Sequence, residues 1–231
     1  MNTPRNPGTP GLPNSRLITN APPAIYEIAH TPVVPLFGEN IVVTARVHDP
    51  DGISSLNLRY RIDPSANYTV VPMLDDGTGG DEIAGDGIYS ATIPGQQTGV
   101  LVAFYISASD LANPSNLSIY PKDAPNRECL VLFGDSTPTG NFPVYRLWMT
   151  QAIFYKWSNR HKLHNTPLPI TFVLGNSRAI YGSSGLFAGS PYIAPGFSTP
   201  SGNRCGYSIV FPDDNEFLGD TDLVLDWPGG H

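Results

Sequence analysis

Charged side chains are scarce in this sequence. Of its 231 residues, 14% are Asp, Glu, Lys or Arg, whereas soluble domains typically carry about 25%. Acids outnumber bases by 20 to 13, which leaves a formal net charge of −7. Because such a surface repels phosphate groups, the composition argues against a nucleic-acid partner. Long apolar runs are also missing, and none approaches the roughly 20 residues that cross a bilayer, so no membrane span is predicted.

Cysteine is nearly absent, with only Cys129 and Cys205 in the chain. The two fall in different predicted domains, and a disulfide requires Cα atoms within about 7 Å of each other. We therefore favour two free thiols over a bridge. Two cysteines alone cannot form a cysteine-based zinc site.

Residues that interrupt regular structure are plentiful, with 23 glycines and 24 prolines. Glycine permits positive φ and proline removes a backbone donor, so this content favours many short strands over long helices. Residues 1–22 are interpreted as a flexible leader or linker. Residues 23–134 predict an Ig- or fibronectin-III-like antiparallel sandwich, because eight short strand segments follow one another between turn signals. Those segments are Ile25–Ile28, Asn40–His48, Leu56–Ile62, Tyr68–Leu74, Gly87–Ile93, Leu101–Ser109, Leu117–Tyr120 and Glu128–Phe133.

The pattern changes after the polar segment Gly134–Asn141, which is interpreted as a domain boundary. Residues 135–231 predict a second lobe of the α+β type, with a helix over Gln151–Ser158 that Thr150 caps. The predicted strands are Val144–Met149, the hairpin pair Ile170–Leu174 and Arg178–Tyr181, Tyr207–Phe211 and Leu223–Asp226. With one short helix and an end just past a strand, this lobe is expected to be incomplete. The predicted fold class is mainly β, a sandwich followed by an incomplete α+β lobe.

The most distinctive local feature is the acidic, glycine-rich run DDGTGGDEIAGDG. Its five carboxylates are candidate ligands for calcium, which prefers several oxygen donors. They are Asp75, Asp76, Asp81, Glu82 and Asp86. The spacing does not match an EF-hand loop, and a solvated hairpin in which Asp-Gly pairs supply turn geometry explains the same residues. The sequence favours the hairpin and keeps calcium as the alternative.

Other candidate chemistry is sparse. The sequence contains no H-E-x-x-H, G-x-G-x-x-G or Walker A motif, and no nucleophile elbow surrounds Gly182–Gly185. His161 and His164 lack an evident third metal ligand. Aromatic rings that could stack on a sugar are present, although in β-rich proteins such rings more often pack in the core. They are Tyr68, Tyr89, Tyr105, Tyr181, Tyr192 and Phe197.

Two stretches of the chain resemble a known bacterial family. The first resembles the Ig-like domain that precedes CotH (spore-coat protein H) kinase-like domains in large surface and secreted proteins, through the runs NIVVTARVHDPDGISSLNLRYRID and DDGTGGDEIAGDGIYSATIPGQQTGVLVAFYISASD. The second resembles the start of the CotH kinase-like domain itself, through the run YRLWMTQAIFYKWSNRHKLHNTPLPITFVLGNSRAIYGSSGLFAGSPY. Together these runs identify the chain as similar to that family over most of its length.

The resemblance implies a nucleotide-side lobe. CotH-type domains carry a pattern close to R-G-x-S-S, then K-K-S-Y, then F-x-G. In this chain Gly182, Ser183 and Ser184 stand at the first motif, and Arg204 is all that remains of the basic pair in the second. The resemblance therefore implies nucleotide contacts for Gly182, Ser183, Ser184 and Arg204, although an arginine does not freely replace a lysine beside phosphates.

The catalytic and metal-binding acids of such kinases lie further along the chain than this sequence reaches. ATP and magnesium are thus expected as cofactors only of a full-length kinase domain, and no catalytic residue is assigned here. The favoured hypothesis is a non-catalytic module, secreted or on the cell surface, with a protein or polysaccharide partner. The alternatives are a part of an atypical protein kinase that is active only with its remainder, and a carbohydrate-binding module.

Overall fold

The structure is a computed structural model that describes residues 20–135, 144–160, 164–188 and 206–225. These residues form thirteen strands and one helix, so the mainly β class is confirmed. The described helix has nine residues, and no helix in these ranges is both long and apolar enough to cross a membrane. Several predicted features lie outside the described residues. They are most of the leader, the boundary residues 136–141, His161, Tyr192, Phe197, Arg204 and Cys205.

The first eight strands form two antiparallel sheets, called here the first sheet pair. The strands are β1 (Ala24–Thr31), β2 (Ile41–His48), β3 (Ile53–Ile62), β4 (Thr69–Pro72), β5 (Ile88–Ile93), β6 (Leu101–Asp110), β7 (Leu117–Tyr120) and β8 (Cys129–Leu132). One sheet has the order β1-β2-β5 and the other the order β4-β3-β6-β7, with β8 also paired to β6. Each predicted strand segment of this region coincides with a strand of the structure, which differs by a few residues at the ends.

Alternating side chains build the core of the first sheet pair. In β2, Ile41, Val43, Ala45 and Val47 are buried while the residues between them are only partly buried, because successive side chains of a strand point to opposite faces. Residues from both sheets join one apolar cluster, to which β3 contributes Leu58 and β6 contributes Phe104 and Ile106. Cys129 is a free thiol within this core, and burial raises its pKa well above the usual value.

The remaining strands form the second sheet. Its elements are β9 (Tyr145–Trp148), α1 (Gln151–Asn159), β10 (Leu168–Leu174), β11 (Arg178–Ala188), β12 (Gly206–Val210) and β13 (Asp222–Leu225). The strands are antiparallel in the order β13-β12-β11-β10-β9. The predicted hairpin around Gly175 is confirmed, but β11 runs on to Ala188, beyond the predicted end of this strand at Tyr181.

Helix α1 begins where the sequence predicted. The Thr150 hydroxyl accepts a hydrogen bond from the Ile153 amide at 3.3 Å, as an N-cap residue does. Trp157 is fully buried, while Phe154 is 40% exposed, so the helix faces the core mainly through the tryptophan. The helix can pack this closely because Gly185 faces it, where an added Cβ would lie 2.9 Å from the Trp157 ring.

The central strands β10 and β11 of the second sheet bury side chains on both of their faces. Phe172 of β10 and Ile180 of β11 join Trp157 in a second apolar cluster. The next residue of each strand, Val173 and Tyr181, joins the core of the first sheet pair instead. This division follows from the period of two along a strand. Strands that are buried on both faces have nearly continuous apolar sequences, and the run ITFVL of β10 fits that rule.

Polar contacts, two of them buried, join the first sheet pair to the second sheet. Nε2 of His30 lies 2.9 Å from the Val33 carbonyl, so Nε2 carries the proton and the other ring nitrogen accepts from the Tyr181 hydroxyl. The Leu130 amide donates to the Thr171 hydroxyl at 3.1 Å. The Asp63 carboxylate accepts from the Gln151 amide at 2.7 Å, at the first turn of α1. These bonds specify one orientation of the two parts, because a buried polar group without its partner is costly.

His30 should make this contact sensitive to acid. Burial lowers the pKa of His30 from 6.5 to about 4. As the pH falls below about 6.5, His30 becomes protonated in the unfolded chain, whereas in the folded chain it stays neutral until about pH 4. Stability therefore falls across this window. A shift of this size corresponds to about 3 kcal/mol. We expect the free energy of unfolding to fall between pH 7 and pH 4 in both the unmodified chain and His30→Gln. The fall should be about 3 kcal/mol larger in the unmodified chain, as measured by urea unfolding at the two pH values.

His30→Asn serves as a second non-titrating variant if His30→Gln does not fold. All the carboxylates titrate equally in the three chains, so the comparison isolates the imidazole. Equal pH dependence in the unmodified chain and both variants would contradict this interpretation.

Candidate functional site

A groove of about 670 Å³ separates β1 of the first sheet pair from the second sheet. One wall is β1 from Tyr26 to Thr31, and the other is the β10–β11 turn with the loop that carries Asp214 and Asn215. A cleft of about 730 Å³ lies beside β7, and a smaller one of about 500 Å³ lies beside helix α1. Clefts between packed units are common binding sites.

The β1 wall of the groove carries a local distortion. Between Tyr26 and Ala29 the register with β2 shifts by one residue, which is a β-bulge. Within it, Glu27 has a φ of 52°, a left-handed conformation that is uncommon for a residue with a side chain. Such strain persists only where the surrounding structure imposes it, and it is frequent beside binding sites. No periodicity in the sequence indicates this bulge.

Polar side chains line the groove on both walls. The Arg178 guanidinium donates to the Asn215 side-chain oxygen at 2.5 Å and to the Glu216 carbonyl at 2.9 Å. Glu27 pairs with Arg46 at 2.8 Å, an exposed pair that adds little to stability. The Tyr26 ring is 41% exposed at the same place. A flat ring beside planar amide, carboxylate and guanidinium groups can both stack on a ligand and hydrogen-bond to it.

The aromatic residues that the sequence singled out mostly lie elsewhere. Tyr181 is fully buried, so it cannot serve as an exposed platform. The Tyr68 hydroxyl donates to Glu128 at 2.5 Å, and burial together with this bond raises the pKa of Tyr68 to about 12. The ring of Tyr68 packs edge-on against Tyr105. Tyr26 was missed because it lies within the short predicted strand Ile25–Ile28, whose sequence gives no sign that this ring is exposed beside a groove.

Gly182, Ser183 and Ser184 lie within strand β11 and form part of the contact with the first sheet pair. Gly182 has a φ of 72° at the register shift between Ile170 and Phe172 of β10. The Arg127 guanidinium, from the connection before β8, donates to the Gly182 carbonyl at 2.5 Å and reaches the Ser184 hydroxyl at 3.2 Å. Ser183 is fully buried, and its hydroxyl donates to the Ile180 carbonyl. The polar groups of this motif therefore already have protein partners.

The acidic run forms the loop between β4 and β5, and three of its five carboxylates converge. Oxygens of Asp75, Asp81 and Asp86 lie within 4.8 Å of one another. Asp81 is only 6% exposed, whereas Asp76 turns away and accepts hydrogen bonds from Thr78. An all-oxygen donor set of this kind suits a hard cation such as calcium. Glu82 is exposed and outside the cluster.

The same carboxylates also fold the loop. Asp75 accepts from the amides of Gly85 at 2.5 Å and Gly87 at 2.9 Å, and Asp81 accepts from the Gly77 amide at 2.6 Å. These bonds are the turn chemistry that the sequence favoured. Each carboxylate offers about four lone-pair sites, so amide bonding leaves acceptor capacity for an ion. Burial raises the pKa of Tyr89, and the negative charge of Asp75 raises it further.

No protein-family model matches the sequence, and no curated protein is significantly similar to it. The CotH resemblance therefore depends on the motifs alone, and functional inference depends on the geometry of the sites.

The calcium hypothesis makes a specific prediction about stability. A ligand that binds only the folded state at about 100 times its Kd stabilises by about 2.7 kcal/mol, which raises the Tm of a chain of this size by roughly 5–10 °C. We expect calcium, relative to chelator, to raise the Tm of the unmodified chain and of Asp76→Asn, but not of Asp81→Asn. The matched asparagine variants remove equal charge inside and outside the cluster. An unchanged Tm at millimolar calcium, or equal shifts in both variants, would refute the site.

Proposed function

We propose that this chain is a non-catalytic interaction module, secreted or displayed on a cell surface, in which an Ig-like sandwich is joined to a lobe resembling the start of a CotH kinase-like domain. Its partner is a protein or polysaccharide surface. The first sheet pair corresponds to the Ig-like part of this proposal and the second sheet to the CotH-like part. The extracellular location comes from the resemblance.

The observation that carries this proposal is that Gly182, Ser183 and Ser184 are already bound by another part of the protein. The resemblance assigns these residues to nucleotide contact, and here Arg127 binds their carbonyl and hydroxyl groups. A nucleotide at the same groups would have to displace a guanidinium that Asp123 also holds at 3.2 Å. Phosphoryl transfer requires a phosphate clamp, metal-binding acids and a base in one place. The contacts of the motif therefore favour a role in holding the second sheet against the first sheet pair over a role in catalysis.

A phosphoryl-transfer assay tests this proposal directly. The chain is incubated with radiolabelled ATP, magnesium or manganese, and a generic acceptor protein, beside Arg127→Ala, which frees the motif. We expect no metal-dependent incorporation of label in either chain, because the candidate metal-binding cluster of the described residues, Asp75, Asp81 and Asp86, lies in the β4–β5 loop and not at the motif. Metal-dependent incorporation that is lost in Ser184→Ala would establish the kinase alternative.

The groove favours a polysaccharide as one class of partner. Tyr26 offers a partly exposed ring, and Arg178, Asp214 and Asn215 stand on the opposite wall. Sugar recognition combines stacking on a ring with hydrogen bonds from planar polar groups, which is the combination that these residues provide. The distortion at Glu27 places a further carboxylate on the Tyr26 side.

Retention on insoluble polysaccharides tests the groove. We expect the unmodified chain to be retained on at least one of them, and Tyr26→Ala to lose about 10-fold in affinity, since one stacked ring contributes on the order of 1–2 kcal/mol. Tyr155→Ala is the matched control, because Tyr155 is 70% exposed on α1 and outside the groove. The carbohydrate-binding candidate fails if no polysaccharide retains the chain or if the two variants behave alike.

A further inference from the structure

A second cleft, of about 500 Å³, collects basic side chains from three separate segments. Arg127 comes from the connection between β7 and β8, Lys156 and Arg160 from helix α1 and the residue that ends it, and His164 from the segment before β10. We call this the basic cleft. It lies apart from the polar groove beside β1, with which it shares no lining residue.

The basic cleft carries excess positive charge in an acidic chain. Asp123 is the one carboxylate among its lining residues, and it pairs with Arg127 at 3.2 Å. No described carboxylate pairs with Lys156 or Arg160, and the formal charges of Arg127, Lys156, Arg160 and Asp123 sum to +2, against −7 for the whole sequence. A concave site with charge of one sign concentrates counter-ions.

Arg160 is held in place before any ligand arrives. Its guanidinium lies 5.0 Å from the centre of the Trp157 ring and 4.5 Å from that of Phe187. It donates to the Thr166 carbonyl at 2.8 Å and to the Asn165 side-chain oxygen at 3.3 Å. Cation–π contacts and hydrogen bonds fix the side chain, and a group that is already ordered loses less entropy on binding.

Several donors of the basic cleft are unused within the described ranges. The Lys156 ammonium has no hydrogen bond or ion pair there, and His164 bonds through Nε2 alone, to the Thr166 hydroxyl at 2.7 Å. Arg127 uses Nε and Nη1, which leaves Nη2 without a partner among those residues. The residues that carry these donors line one cavity and come from three separate segments.

We propose that the basic cleft binds a tetrahedral oxyanion, namely a phosphate or sulfate group carried by a partner molecule. A tetrahedral anion presents oxygens in several directions and can use donors from three segments at once, whereas a planar carboxylate is served by a single guanidinium fork. Lysine contributes a compact point charge and arginine an oriented fork. Phosphate and sulfate share this chemistry, and direct comparison distinguishes them.

A purely structural explanation accounts for only part of this arrangement. A lysine in the last turn of a helix is stabilised by the helix dipole, which explains Lys156 on α1. The dipole does not explain why Arg127 and His164 reach the same cavity from other segments, nor why Arg160 is ordered by two aromatic rings.

Titration of the isotopically labelled full chain with inorganic phosphate and, separately, with inorganic sulfate tests the proposal. We expect saturable amide chemical-shift changes centred on Arg127, Lys156 and His164, with a single Kd for each ion, and the tighter ion identifies the natural group. Lys156→Gln should weaken the tighter ion about 10-fold, because it removes a charge-assisted hydrogen bond. His164→Ala should weaken it less.

Lys122→Gln is the matched control. Lys122 is exposed and lines the neighbouring cleft with Gly182 and Ser184 rather than the basic cleft, so the same loss of charge should change the Kd less than 2-fold. Lys156 is also exposed, and an unchanged Tm will show that its variant remains folded. The proposal is overturned if neither ion gives saturable shifts, if the shifts lie elsewhere, or if both glutamine variants weaken binding equally.

Discussion

The structure depends on the burial of the second sheet against the first sheet pair. One face of β10 and β11 packs under helix α1, and the other enters the core that contains Phe104 and Tyr181. A sheet that is apolar on both faces cannot stand alone in water, because each face must be removed from solvent. The hydrogen bonds of His30 to Tyr181 and of Leu130 to Thr171 then select one register between the two parts.

This packing explains the structural role of Gly182, Ser183 and Ser184. Gly182, Ser183 and Ser184 lie where β11 meets the first sheet pair, and Arg127 crosses from that pair to bind them. Arg127 also lines two clefts, one on each side of this contact. The same guanidinium thus joins the two parts and shapes the surfaces that they present.

The scarcity of charge in the sequence conceals a strong local separation of charge. Carboxylates gather in the loop between β4 and β5, where Asp75 and Asp81 use backbone amides to fold the turn. Basic groups gather in the basic cleft, where Lys156 stands beside the side chains of Arg127 and Arg160. A second buried charge network, of Arg61 with Asp63 and Glu128, lies near the start of α1. Net charge describes none of these sites, because it sums acidic and basic groups that lie in different parts of the structure.

The sequence by itself determined what depends on near neighbours. Alternation predicted β2, the Thr150 cap predicted the start of α1, and Gly175 predicted the hairpin, since side-chain period, capping and turn geometry act over a few residues. Tertiary structure alone decided that Tyr181 meets His30, 151 positions away, that β11 continues past Ser184, and that Lys156 and His164 share a cleft with Arg127. Those contacts follow from the relative placement of sheets, and that placement is set by the summed packing of both faces rather than by any local pattern.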